Sequence, residues 1–134
     1  KIGAKRVFFH AESVEEPQNI LKKIKKFKFQ KGIALNPKTT ITKIISYINQ
    51  VDLVLLMGVN PGFQGQKFIP SVLNKIKNLK KVASEVKIEI DGGVNILNIK
   101  TVIDAGADYV IVGSGLWKSQ NIKEQWNKLK ETIK

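Results

Sequence analysis

Asp91 is followed by two glycines, Gly92 and Gly93, and a second short motif, Gly113-Ser114-Gly115, stands later in the chain. A carboxylate held rigidly over a substrate can act as a general acid or base, or ligate a metal. Glycines beside it let an anion's oxygens approach backbone N–H groups, and a helix N-terminus adds favourable charge. A third segment, Val59-Asn60-Pro61-Gly62-Phe63-Gln64-Gly65-Gln66-Lys67-Phe68, has the glycines and proline of a tight turn that can also present N–H groups to an anion. Each motif alone is a common turn, and Asp91 has a lesser reading as the N-cap of the following helix. Together they favour phosphate binding beside a working carboxylate. Other candidates are more ambiguous. His10, the only histidine, suits a hydrogen-bonded structural role as well as substrate contact, and without a second histidine it is a poor metal signal. Glu12 falls in the same loop and reads equally as solvent-facing. Met57 reads as strand packing, and Trp117 and Trp126 as packing for the last helix.

The elements that must position these residues follow from the hydrophobic rhythm. Short β-branched and aromatic runs predict strands at Arg6–His10, Gly32–Leu35, Leu53–Val59, Lys87–Ile90 and Tyr109–Val112, apolar enough to be covered on both faces. Segments of helical period predict helices at Pro17–Phe29, Ile41–Ile48, Ser71–Val82, Asn95–Ala105 and Asn121–Ile133. Strand–helix alternation is the pattern of a parallel α/β fold, whose ligands sit at the carboxyl ends of the strands. Those ends here are His10, Asn36-Pro37, Asn60-Pro61-Gly62, Asp91-Gly92-Gly93 and Gly113-Ser114. The expected fold class is α/β, a (βα)8 TIM barrel with about five βα units in this chain. At 134 residues the chain is shorter than the roughly 200 residues of a complete barrel. Ile2–His10 and Ala105–Gly113 are weak copies, each placing glycine where a helix ends before a buried strand. Lys1-Ile2-Gly3-Ala4 therefore reads as the tail of a helix, and the chain as beginning in the middle of a barrel.

Composition narrows the class of partner. The net charge of +12 would suit nucleic acid, but Arg6 is the only arginine, the lysines are dispersed, and no aromatic-interleaved basic groove is visible. Lysines on solvated helix faces are the expectation, with no nucleic-acid partner. No run approaches the ~18 apolar residues of a membrane span, and Lys1–Arg6 lacks the apolar run of a secretory signal. The absence of cysteine removes disulfides and thiolate metal sites. These features predict a soluble, cytoplasmic protein.

Asp52–Phe68 (DLVLLMGVNPGFQGQKF), Ile90–Val94 (IDGGV) and Ala105–Ser114 (AGADYVIVGS) closely resemble the ribulose-phosphate 3-epimerase family, and Phe9-His10-Ala11-Glu12 and Ala34-Leu35-Asn36-Pro37 resemble its fourth and fifth strand ends. The resemblance implies that residues 1–134 are the C-terminal part, strands four to eight, of a single phosphate-binding barrel domain. It implies an isomerase of carbohydrate metabolism in the pentose phosphate pathway. Such an enzyme interconverts D-ribulose 5-phosphate and D-xylulose 5-phosphate by moving the C3 proton through an enediolate between two carboxylates. It further implies a divalent metal, Zn²⁺ or Fe²⁺, with most ligands outside this chain, and a homo-oligomer. Asp91 matches the second catalytic aspartate, also a metal ligand. Gly62, Phe63, Gln64 and Gly65 match the substrate loop, Gly92 and Gly93 the next, Gly113 and Ser114 the phosphate contact, and Met57 the methionine lining the site. Gln64 replaces a usual glycine and Gly58 a usual small hydroxyl residue, which raises a related ketose phosphate such as allulose 6-phosphate as substrate. The other three metal ligands, a His-x-Asp pair and a later histidine, have no counterpart here, and His10 matches none of them. The 134 residues alone are thus expected to be inactive, and a noncatalytic sugar-phosphate-binding module or barrel fragment is the alternative.

Overall fold

The computed structural model describes residues 3–134, with strands β1 (Arg6–His10), β2 (Gln30–Leu35), β3 (Leu53–Met57), β4 (Lys87–Asp91) and β5 (Tyr109–Ile111). All neighbours pair in parallel, in the order β1-β2-β3-β4-β5. Because successive side chains alternate, the register divides the sheet into two faces. Ile33, Leu35, Val54, Leu56, Ile88 and Ile90 join the main core, which includes Val72, Ile76 and Leu79 of α2 (Ser71–Val82), Val102 of α3 (Ile99–Asp104) and Leu129 of α5 (Ile122–Thr132). The opposite face carries Arg6, Phe8, His10, Ala34, Leu55, Met57, Glu89, Asp91, Tyr109 and Ile111.

That second face is concave. Arg6 of β1 donates to Glu89 of β4 at 2.8 Å, and its guanidinium lies 4.3 Å from the centroid of the Tyr109 ring of β5. In a flat sheet β1 and β4 would stand roughly 14 Å apart, three interstrand spacings, beyond the reach of one arginine. The sheet must curl to bring them together, as a segment of a barrel does.

The outer strands depart from the expectation of cover on both faces. β1 is only half-buried along its length, and Tyr109 and Ile111 of β5 are exposed, because among the described residues no helix covers the concave side there. The predicted helix at Ile41–Ile48 is instead two 3-10 turns, Ile41–Lys43 and Ile45–Gln50. Ile41, Thr42, Ile44, Ile45 and Ile48 are β-branched and disfavour an α-helix, while spacing of three still buries Ile44. Helix α1 (Pro17–Ile24) stops before Phe29; Phe27 turns out to solvent and stacks on Phe29, ring centroids 5.6 Å apart. Gly106 follows α3 with φ 113°, and Gly3 has φ 69°; Lys1 and Ile2 of the predicted helix tail lie outside the described residues. No helix among the described residues is long and apolar enough to cross a membrane.

Candidate active site

Asp91 ends β4, beside Met57 across the parallel ladder. It caps no helix, since α3 begins only at Ile99. The residues between are held by Asn95, whose Oδ1 accepts from the Leu97 N–H (2.8 Å), and Asn98, whose Oδ1 accepts from the Asn95 N–H (2.8 Å) and whose Nδ2 donates to the Gly93 carbonyl (3.1 Å). Such local bonds compete with helix formation and explain why α3 starts four residues later than its apolar pattern suggested. They also fix the Gly92-Gly93 turn. A Cβ on Gly93, at φ 71°, would stand 2.5 Å from the Phe68 backbone nitrogen, so no side chain fits.

One cavity of about 570 Å³ is lined by Met57, Phe63, Gln64, Gly65, Asp91, Gly92, Gly93, Gly113 and Ser114. Gly62 lies in the same loop, at φ 143°, but outside that lining. The loop is closed by Gln66, whose Nε2 donates to the carbonyls of Asn60 (2.8 Å) and Phe63 (2.9 Å). Among the described residues no protein group takes the N–H of Gly93, Gly113 or Ser114, whereas the Gly92 N–H is given to the Asp91 carboxylate. The expected helix dipole is weak, however. Helix α4 (Ser114–Trp117) is a single turn, and α3 is remote from Gly93, so the cradle consists of N–H groups rather than helix ends.

Asp91 is the cavity's only acid. Burial pushes its pKa above the ordinary carboxylate value, and the Gly92 N–H only partly offsets this. A half-buried carboxylate with a raised pKa is a stronger base than a solvated one and is suited to proton transfer.

His10 and Glu12 belong to another network. His10 Nδ1 stands 3.4 Å from Glu12 Oε2, too far for a strong bond, while Glu12 Oε1 accepts the Asn36 N–H at 2.8 Å. Burial pushes the Glu12 pKa up, but bonds from the Thr39 hydroxyl, the Asn36 N–H and its own N–H, with a smaller contribution from the nearby imidazole, outweigh it and leave it lowered. Lys75 completes this cluster by donating to the carbonyls of Asn36, Pro37 and Thr39 at 2.9, 2.7 and 2.6 Å. The arrangement fastens the loop after β2.

Gly58 does not line the cavity; a Cβ there would meet the Gly92 carbonyl oxygen at 2.2 Å, so its smallness serves the β3–β4 junction. Trp117 and Trp126 do not pack the last helix inward: they are 68% and 50% exposed. Trp117 instead lines the cavity with Gln66, which fell inside the quoted loop motif without a role of its own, and with Lys118, which no motif included. Their one sequence signal is nearness to glycine loops, which dispersed lysines and surface aromatics share.

Among the described residues no three of His, Asp or Glu lie close enough together to hold an ion, and Asp91 offers one carboxylate. The residues of this chain do not by themselves fit a metal centre.

Curled parallel sheet and carboxyl-end cavity define an α/β-barrel protein with five βα units. A solved 3-hexulose-6-phosphate synthase from Salmonella typhimurium shares this fold, at TM-score 0.74 and 18% identity, over 98% of this chain and 62% of that one. The sequence model of the Ribulose-phosphate 3 epimerase family matches residues 1–117, and the chain belongs to that family. It is similar to the ribulose-phosphate 3-epimerase of Bacillus subtilis, with 42% identity over 92% of this chain and 59% of that protein. It is also similar to that of Buchnera aphidicola subsp. Baizongia pistaciae, with 39% identity over 90% of this chain and 55% of that protein. The chain thus spans less than two thirds of the length of these curated relatives.

Proposed function

We propose that the protein is a ketose-phosphate 3-epimerase that interconverts D-ribulose 5-phosphate and D-xylulose 5-phosphate. The observation carrying this reading is that Asp91, with its raised pKa, shares one cavity with the three N–H groups of Gly93, Gly113 and Ser114, which no described protein group takes. The N–H groups of Gly93, Gly113 and Ser114 hold the phosphate, and Gly92 lets the chain turn beside them with its own N–H on Asp91. Anchoring that end fixes the sugar chain along the cavity, where Met57 offers an apolar wall beside Asp91. The carboxylate removes the C3 proton, which the adjacent C2 ketone acidifies, and the electron pair is taken up as an enediolate. Return of a proton to the opposite face inverts C3 and needs a second acid. The cavity holds no such acid in this chain, so that group comes from outside it.

A divalent metal, Zn²⁺ or Fe²⁺, belongs to the same reading as the family's polarising group, with most of its ligands elsewhere; no step here depends on it. The reading extends to a homo-oligomeric cytoplasmic enzyme of the pentose phosphate pathway. Gln64 in the cavity lining favours one variant, a related ketose phosphate such as allulose 6-phosphate, because its amide can meet a longer or more hydroxylated chain. Turnover of both phosphates by the full-length protein tests the choice. Preference for D-ribulose 5-phosphate supports the first reading, preference for allulose 6-phosphate the second, and turnover of neither overturns both.

A further inference from the structure

We propose that Lys118 is the cation that neutralises the ligand's phosphate, a role that rests on the sugar-phosphate reading of this cavity. The cradle itself brings no formal charge. Its donors are backbone N–H groups, α4 is one turn long, and the only other charged side chain in the lining is the carboxylate of Asp91. A phosphate dianion would therefore meet a negative neighbour and neutral donors, which is costly away from bulk water. Lys118 is the single cation among the described lining residues. It follows α4 directly, so its backbone is tied to Ser114, whose carbonyl accepts the Lys118 N–H at 3.2 Å.

The ammonium borders the cavity and is unpaired among the described residues. Nζ lies 3.2 Å from the point a Cβ on Gly65 would occupy, so it reaches from the last strand's loop to the Gly62–Gln66 loop. The missing side chain at Gly65 leaves the space it fills. Among the described residues no carboxylate pairs with Lys118, and it makes no side-chain hydrogen bond, whereas Lys75, Lys80, Lys87 and Lys128 all have partners. A lysine that lines the same cavity as the N–H groups of Gly93, Gly113 and Ser114, with no carboxylate of its own, is suited to a phosphate as a point charge. Its position bridges two loops, so a bound dianion would also draw the Gly65 segment towards Ser114.

The test compares wild type, Lys118→Met and Lys118→Arg in the full-length protein. It uses three probes: inorganic phosphate, D-ribulose 5-phosphate and unphosphorylated D-ribulose. Lys118→Met should weaken inorganic phosphate and raise KM for the sugar phosphate by roughly 5–30-fold, with kcat changed less than about twofold. Lys118→Arg should restore most of the loss, and the reaction of D-ribulose should not change. Salt should weaken phosphate binding more in wild type than in Lys118→Met. Unchanged phosphate binding in Lys118→Met, with wild type still binding phosphate, overturns the role of Lys118 alone. Equal losses for the phosphorylated and unphosphorylated sugars overturn it too, since they signal a structural defect. If wild type binds no phosphate, the cradle and Lys118 fall together.

Discussion

The carboxylate of Asp91 is charged in a place that disfavours charge. Burial raises its pKa, so the native state takes up a proton more readily than the unfolded chain does. The sign follows from linkage: protonated Asp91 contributes stability that is present below its unfolded pKa of ~3.9 and is lost as pH rises through the raised native value. Asp91→Asn should therefore unfold at an equal or higher denaturant midpoint than wild type at pH 7, an advantage that disappears at low pH. Chemical denaturation at both pH values checks this. A marked loss of stability at pH 7 would mean that Asp91 holds the fold together rather than serving chemistry. This residue was legible in the sequence because an acid before two glycines at a strand end has few other uses. Lys118 was not, because its type is repeated throughout the chain and only the fold carries it over Gly65.

At the amino ends of the strands, opposite the cavity, acidic residues pin one element to the next. Asp108, just before β5, accepts the Ile88 N–H of β4 at 2.9 Å, the Lys80 ammonium of α2 at 2.7 Å and the Lys87 ammonium at 3.0 Å. Asp52, just before β3, accepts the Lys31 N–H of β2 at 2.7 Å in the same way. Burial raises the pKa of Asp108, but the bonds from Lys80, the Ile88 N–H and Lys87 outweigh it and bring it down to about 2. A lowered pKa contributes stability above the unfolded value, lost as pH falls through about 2. Allowing for solvent screening of the exposed lysine, Asp108→Asn should cost roughly 1–2 kcal/mol at pH 7. Unfolding curves of variant and wild type should converge as pH falls towards 2. Element identity was read well where one period dominated: α2 and β1 have the predicted bounds. It failed where side chains overrode the period, with β-branched residues at Ile41–Ile48 and backbone-bonding asparagines at Asn95 and Asn98.

The curled sheet leaves β1 and β5 as open edges, with Tyr109 and Ile111 exposed on the concave side. Unpaired parallel edges beside apolar side chains invite pairing with other chains. The 134-residue polypeptide purified by itself should therefore run above its 15.0 kDa mass in sedimentation analysis, and a stable monomer would show that the edges are protected. Strand–helix alternation already pointed to parallel barrel strands, while the contacts of Arg6 with Glu89 and Tyr109 across the concave face, made between distant parts of the chain, were not legible in it. In the whole molecule, on the proposed reading, this cavity and Asp91 move a proton at C3. The most direct measurement is NMR of D-ribulose 5-phosphate in D₂O with the full-length protein and its Asp91→Asn variant. Wild type should replace hydrogen by deuterium at C3 as D-xylulose 5-phosphate appears, and the variant should be slower by on the order of 10²–10⁴-fold. Exchange at C3 by the variant at the wild-type rate, or wild-type exchange confined to another carbon, would contradict the account.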